Sequence, residues 1–63
     1  MTKTYQFQNA TQFKKVCSAL SENMLSFATD KELKALVLFA NAETFNAVET
    51  FFQSFNIKYK QIA

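Results

Sequence analysis

The sequence holds few side chains suited to chemistry. Cys17 is the single thiol and histidine is absent, so a cysteine nucleophile would lack the base that usually activates it. One cysteine excludes a disulfide within the chain, and an ordinary zinc site would have too few ligands. Cys17 lies between Val16 and Leu20 on an apolar pattern, and we expect it to be a small packed residue.

The acidic residues and the absence of glycine argue against an enzyme as well. The carboxylates are Glu22, Asp30, Glu32, Glu43 and Glu49. Their spacing does not predict that two of them meet in a cleft, as a metal site or an acid–base pair requires. Without glycine, the usual phosphate-binding loops are excluded. We therefore expect a protein that is not an enzyme and that binds no metal or cofactor.

Length and composition predict one small domain. The chain has 63 residues, so we expect a single α+β domain over residues 1–63 whose net stability is about 3–5 kcal/mol. Eight phenylalanines and two tyrosines are not typical of a disordered chain. No export signal and no apolar run of about 20 residues are visible. With a free thiol, these features predict a cytoplasmic protein without a membrane partner.

The composition also suggests a source. Phe, Tyr, Met, Ile, Asn and Lys supply 26 of the 63 residues, while Gly, Pro and Arg are absent. The first group has AT-rich codons and the second has GC-rich codons. Our hypothesis is an AT-rich genome such as that of a phage or mobile element. A small accessory protein from such a source would bind and inhibit a host protein, for example one used in defence.

The run 33–40 is the longest nearly unbroken apolar stretch, and it organises the fold. It predicts a strand buried on both faces. A helix is the alternative, because Thr29 and Glu32 form a capping box and the run also contains helical spacing. The strand is favoured because the four bulky residues 36–39 would encircle a helix on every side.

The segments before this run predict a strand, a helix and a second strand. Residues 4–8 alternate polar and apolar, with Tyr5 and Phe7 inward. Residues 10–23 have the apolar spacing of an amphipathic helix, with Asn9 as N-cap and Gln12 completing a capping box. Residues 24–28 then form a short strand, and residues 29–32 form a tight turn.

The segments after the run predict a helix and a final strand. Asn41 caps the helix, and Glu43 lies near its positive end. Asn56 ends the helix in the left-handed conformation for which glycine is usual. Residues 57–62 form the last strand, with Lys58 and Lys60 outward.

The resulting order resembles the ferredoxin-like fold. Strand, helix, strand, strand, helix and strand give a βαββαβ two-layer sandwich. The resemblance implies a four-stranded antiparallel sheet in the order 4-1-3-2, with two helices on one face. It covers the whole chain and concerns topology only.

Nucleic-acid binding is a second interpretation of this topology. The RNA-recognition motif shares it and stacks bases on aromatic residues of the central strands. When its third-strand signature is aligned from Lys34, leucines occupy both stacking positions. Lys58 and Lys60 with Lys3 predict a small basic patch on neighbouring strands. This patch would support weak, sequence-tolerant binding that falls steeply with salt.

The surplus of apolar residues favours a protein partner instead. The helices cover one face of the sheet, yet the third strand is apolar on both faces. Either Leu36 and Leu38 or Val37 and Phe39 must therefore be exposed, and such patches usually mark interfaces. We expect a homodimer through the open sheet face or the edge of the second strand. The predicted partner-binding residues are Met24, Leu36, Val37, Leu38, Phe39, Lys58 and Lys60.

Overall fold

The structure, a computed structural model, describes residues 1–62. Its elements are β1 (Thr2–Phe7), α1 (Ala10–Glu22), β2 (Ser26–Asp30), β3 (Ala35–Phe39), α2 (Ala42–Ser54) and β4 (Tyr59–Ile62). The strands form one antiparallel sheet in the order β2-β3-β1-β4. This is the predicted order 4-1-3-2 read from its other end, so the ferredoxin-like α+β class is confirmed. Residue 63 of the predicted domain lies outside the described residues.

The register of β1 against β3 decides which side of β3 faces the helices. Tyr5 pairs with Leu36, and both are buried in the core. Side chains alternate along a strand, so Val37 and Phe39 point to the opposite, helix-free side. The run 33–40 is a strand only over Ala35–Phe39. The helical alternative for this run is therefore wrong.

The core lies between the sheet and the two helices, with Phe52 at its centre. The Phe52 ring is fully buried and meets Tyr5 edge-on, with ring centroids 5.3 Å apart. It meets Phe7 in the same way at 5.5 Å. Phe7 also contacts Phe13 of α1, so one sheet face contacts both helices. Each such aromatic pair adds about 0.5–1.5 kcal/mol to the free energy gained by burial.

Both helices begin at the predicted asparagine caps. Asn9 Oδ1 accepts a hydrogen bond from the Gln12 backbone N–H at 2.9 Å, and Asn41 Oδ1 accepts one from Thr44 N–H at 2.8 Å. Each cap satisfies a backbone donor that has no partner within its helix. The predicted return bond of the capping box is replaced by another contact. Gln12 Oε1 instead accepts from the Lys58 backbone N–H at 3.3 Å, which joins the start of α1 to the segment before β4.

Three non-glycine residues adopt left-handed backbone conformations in turns. They are Met24 (φ 57°), Lys34 (φ 52°) and Asn56 (φ 56°). Met24 follows the C-cap of α1 and Asn56 follows the C-cap of α2. These are the positions that usually carry glycine. The prediction for Asn56 is confirmed, whereas Met24 was predicted to begin a strand.

The second hairpin is therefore shifted along the chain. The strand predicted over residues 24–28 occupies Ser26–Asp30, because Met24 is used to end α1. The turn moves from residues 29–32 to residues 31–34. Asp30 Oδ1 accepts from the N–H groups of Glu32 and Leu33 at 3.1 and 3.3 Å, as aspartate does in Asx turns.

The last strand is shorter than predicted. It covers Tyr59–Ile62 rather than residues 57–62. Ile57 is buried against the core, and its N–H donates to the Phe52 carbonyl at 2.8 Å. Ile57 therefore closes the end of α2 instead of extending the sheet.

Candidate functional site

The helix-free side of the sheet, here called the open face, is the candidate site. Residues that pair across neighbouring strands share a face, so the register defines three rows on it. The rows are Ser26-Phe39-Thr2, Ala28-Val37-Thr4-Ile62 and Asp30-Ala35-Gln6-Lys60, read from β2 towards β4. Apolar side chains dominate β3, and polar ones dominate β1.

An apolar patch extends across the first two rows. Phe39 is 49% exposed and Ile62 is 38% exposed. Val37 is half-buried, and Ala28 beside it is exposed. Phe39, Val37 and Ala28 are neighbours on β3 and β2, and Ile62 lies beyond Thr4 in the row of Val37.

Opposite charges occupy the two ends of the third row. Asp30 belongs to β2 and Lys60 to β4, the two edge strands. Ala35 and Gln6 lie between them. Strands lie about 4.8 Å apart, so three strand spacings separate the two charges by about 14 Å. The open face therefore has an acidic end at β2 and a basic end at β4, and Glu32 of the turn 31–34 lines the same surface cavity as Lys60.

The structure divides the predicted partner-binding residues between the two faces. Val37, Phe39 and Lys60 lie on the open face. Leu36 and Leu38 are 1% and 0% exposed and belong to the core. A partner of the folded protein therefore cannot reach these two leucines, and the register settles the choice that the sequence left open.

Met24 and Lys58 are exposed but lie outside the rows of the open face. Met24 is 92% exposed and belongs to the turn between α1 and β2. Lys58 is exposed one residue before β4. Both lie beyond the strands, so neither takes part in the apolar patch.

The predicted basic patch of Lys3, Lys58 and Lys60 is wrong. Lys3 shares the helix-covered face with Tyr5, because the two residues are two positions apart in β1 and every second side chain of a strand points to the same face. Its Nζ lies 3.2 Å from Glu49 Oε2 and 5.0 Å from the centre of the Phe45 ring. The charge of Lys3 is therefore directed towards α2, while Lys60 lies on the opposite side of the sheet.

Glu49 has a structural role that the spacing of the carboxylates in the sequence did not indicate. Its Oε2 accepts from the Tyr5 hydroxyl at 2.7 Å, as well as from Lys3 Nζ. The Tyr5 bond lowers the pKa of Glu49; partial burial opposes this, and Lys3 adds to the lowering. Burial raises the pKa of Tyr5 well above its ordinary value, and Glu49 reinforces that rise. The cluster fastens β1 to α2.

Cys17 and two surface cavities are the remaining features of the described residues that bear on chemistry. Cys17 is half-buried, and burial raises the pKa of its thiol, which lowers its reactivity at neutral pH. Over residues 1–62, no three metal-ligating side chains are grouped. An open groove of about 490 Å³ between the helices is lined mainly by apolar side chains, among them Leu25, Ala47 and Phe51. Neither helix has the length and apolar character needed to cross a bilayer.

In comparisons with known proteins, no family model, no curated protein and no solved structure matches the chain.

Proposed function

We propose that the protein is a non-enzymatic interaction module that forms a homodimer through its open face. The exposed ring of Phe39, set in the sheet beside Val37, is the observation that supports this proposal. Covering an apolar side chain contributes about 25 cal/mol per Å² of area removed from water. A second copy offers an equally apolar surface, and its charges complement those of the first copy.

The size of the open face predicts a weak dimer. Four strands about 4.8 Å apart and five residues of about 3.3 Å each give a plane of roughly 300 Å². Stable interfaces bury about 800 Å² on each partner. We therefore expect a dissociation constant of about 10 µM, so the dimer forms only at high protein concentration.

The substitution Phe39→Lys tests this proposal. It places an ammonium group inside the proposed interface, where burial of an unpaired charge is costly. We expect the variant to stay monomeric at concentrations at which the unchanged protein is a dimer by sedimentation equilibrium. Phe55→Lys is the matched control, because Phe55 is 53% exposed but lies at the end of α2, away from the open face.

Two results would contradict a homodimer formed through the open face. The first is an unchanged protein that stays monomeric at about 500 µM, well above the expected dissociation constant. A different occupant of the face, such as a host protein inhibited in the cytoplasm by a phage-encoded chain, would give this result. The second is equal weakening by Phe55→Lys and Phe39→Lys, with both variants folded by circular dichroism. That result would show that the contact lies elsewhere.

Nucleic acid fits the open face less well than protein does. Base stacking needs a platform of two or three aromatic side chains on the central strands. Among residues 1–62, Phe39 is the one aromatic residue in the rows of the open face. Lys3 is paired with Glu49 on the other side. The arrangement therefore supports a protein partner.

A further inference from the structure

The two charged ends of the open face restrict how a second copy can pack. Asp30 and Lys60 share a row that runs across the sheet through Ala35 and Gln6. Consider a twofold axis that runs parallel to the strands and passes between β3 and β1. It places β2 of one copy over β4 of the other and keeps each row at its own level. Asp30 then lies opposite the partner's Lys60, and symmetry forms this pair twice.

Other symmetric arrangements do not pair these charges. A twofold axis perpendicular to the strands, still within the plane of contact, places Asp30 opposite the partner's Ser26. Edge-to-edge pairing of β2, centred on Ala28, also places Asp30 beside the partner's Ser26. In both arrangements Lys60 has no carboxylate facing it from the open face. Charge complementarity at both ends therefore selects the axis parallel to the strands.

The apolar residues are compatible with this arrangement but do not select it, because the axis perpendicular to the strands would place Val37 opposite the partner's Val37. The axis parallel to the strands places Ala28 opposite the partner's Ile62, Val37 opposite the partner's Thr4 and Phe39 opposite the partner's Thr2. A small side chain thus faces a large one at each edge, as interdigitating sheet faces require. Sheets packed in this way lie about 10 Å apart, with their strands at about 30° to each other.

Building on the function proposed above, we propose that the homodimer is a face-to-face sandwich of two sheets related by a twofold axis parallel to their strands. Two symmetric Asp30–Lys60 ion pairs set its orientation. The apolar patch supplies the affinity, and the charges at the two ends choose among the possible orientations.

A double-mutant cycle on dimerisation tests the ion pairs. Lys60→Asp replaces two attractions by two repulsions, so we expect the dimer to weaken about tenfold at low salt and less at 0.5 M salt. Lys14→Asp on the outer side of α1 is the control with the same change in net charge, and it should leave the dissociation constant within about twofold. Asp30→Asn keeps the oxygen that accepts from Glu32 and Leu33 in the turn. In that background, Lys60→Asp should weaken the dimer less.

Cross-linking provides a second measurement that does not depend on charge. In a Cys17→Ser background, the double variant Ala28→Cys, Ile62→Cys should give a covalent dimer with a bis-maleimide reagent spanning about 10 Å. Ala28→Cys alone should give little dimer, because the partner's Ala28 lies at the far edge. Efficient linking through Ala28→Cys alone would instead indicate an axis perpendicular to the strands or pairing of the β2 edges, and either result would overturn the proposed orientation.

The outcomes separate this proposal from the one on which it rests. A monomeric unchanged protein defeats both. If Phe39→Lys breaks the dimer but Lys60→Asp affects it no more than Lys14→Asp does, the open face is the interface and only the proposed orientation is wrong. Three results together support the sandwich. Lys60→Asp weakens the dimer, the same change weakens it less in the Asp30→Asn background, and cross-linking occurs only with the double-cysteine variant.

Discussion

At the scale of single residues, the best-defined polar contact is the cluster around Glu49. One carboxylate oxygen accepts from a fully buried tyrosine and from a lysine whose side chain is 33% exposed. Hydrogen bonds to a charged group contribute about 1.5–3 kcal/mol when they are partly protected from water. In a domain with a net stability of about 3–5 kcal/mol, one such bond is a large share.

Removing the Tyr5 hydroxyl should therefore be costly at neutral pH. We expect Tyr5→Phe to lower the free energy of unfolding by about 1.5 kcal/mol at pH 7, measured by urea denaturation. The pKa of Glu49 is lowered in the folded state. The stabilisation that ionised Glu49 contributes to the folded state is thus complete above the ordinary carboxyl pKa of about 4.3. It is lost as the pH falls through the lower pKa that Glu49 has in the folded protein. The difference between the two proteins should shrink at acidic pH.

Tyr59→Phe is the control for this measurement. Tyr59 is half-buried in the same aromatic cluster, and we expect its loss of a hydroxyl to change stability by less than about 0.5 kcal/mol. Equal losses for the two variants, or a Tyr5→Phe loss that does not depend on pH, would contradict the role assigned to Glu49.

Some of this detail was within reach of the sequence. The caps Asn9 and Asn41 were predictable because a cap is a local interaction over three residues. Lys3 was misplaced although the alternation of β1 already put it on the side of Tyr5. Glu49 was missed because its partners lie on a distant strand. Its position four residues after Phe45, on the buried side of α2, was the available signal.

At the scale of elements, the ends of the helices show how the chain manages without glycine. A residue with a Cβ atom in the left-handed region costs about 1–2 kcal/mol relative to an unstrained conformation. Asparagine tolerates this conformation better than methionine does. The turn after α1 therefore carries more strain than the turn after α2.

Replacing Met24 by glycine should stabilise the protein. Glycine removes the strain at φ 57°, although its greater freedom in the unfolded chain offsets part of the gain. We expect the free energy of unfolding to rise by about 0.5–1 kcal/mol, which corresponds to a Tm increase of about 4 °C in a domain of this size.

A glycine placed within the helix provides the contrast. Ser18→Gly is exposed in the middle of α1 and should lower the Tm, since glycine weakens helix interiors. A decrease in Tm for Met24→Gly would show that the methionine is not strained. Dimerisation should be unaffected by Met24→Gly, because Met24 lies outside the open face.

The order of strands and helices was predictable from the sequence, but which side of β3 faces the helices was not. The order of strands and helices followed from changes in periodicity along the chain. Within residues 36–39, however, every side chain is apolar, so no alternation marks the buried side. Only the pairing of Leu36 with Tyr5 across two strands decides it. β2 begins two residues later than predicted because Met24 adopts a left-handed backbone conformation, which methionine as a residue type does not indicate.

At the scale of the whole molecule, size limits stability and links it to association. A chain of 63 residues buries only about 60% of the surface that it exposes when unfolded. Covering the open face with a second copy removes further apolar area from water. Folding and dimerisation are therefore coupled in the proposed dimer.

This coupling predicts a melting temperature that depends on concentration. Between about 5 and 500 µM, a dissociation constant near 10 µM adds up to about 2 kcal/mol of stability by mass action. We expect the Tm of the unchanged protein to rise by several degrees over this range, measured by circular dichroism or scanning calorimetry. The Tm of Phe39→Lys should stay constant, and a parallel rise in that variant would contradict the coupling.

The central position of β1 has a consequence for synthesis. Although β1 leaves the ribosome before the other three strands, it pairs on one side with β3 and on the other with β4, whose Ile62 lies opposite Thr4. In a nascent chain that ends before β4, one edge of β1 therefore has no strand to pair with, and the aromatic cluster lacks Tyr59. Until translation passes this last segment, the growing polypeptide exposes the surfaces that chaperones bind.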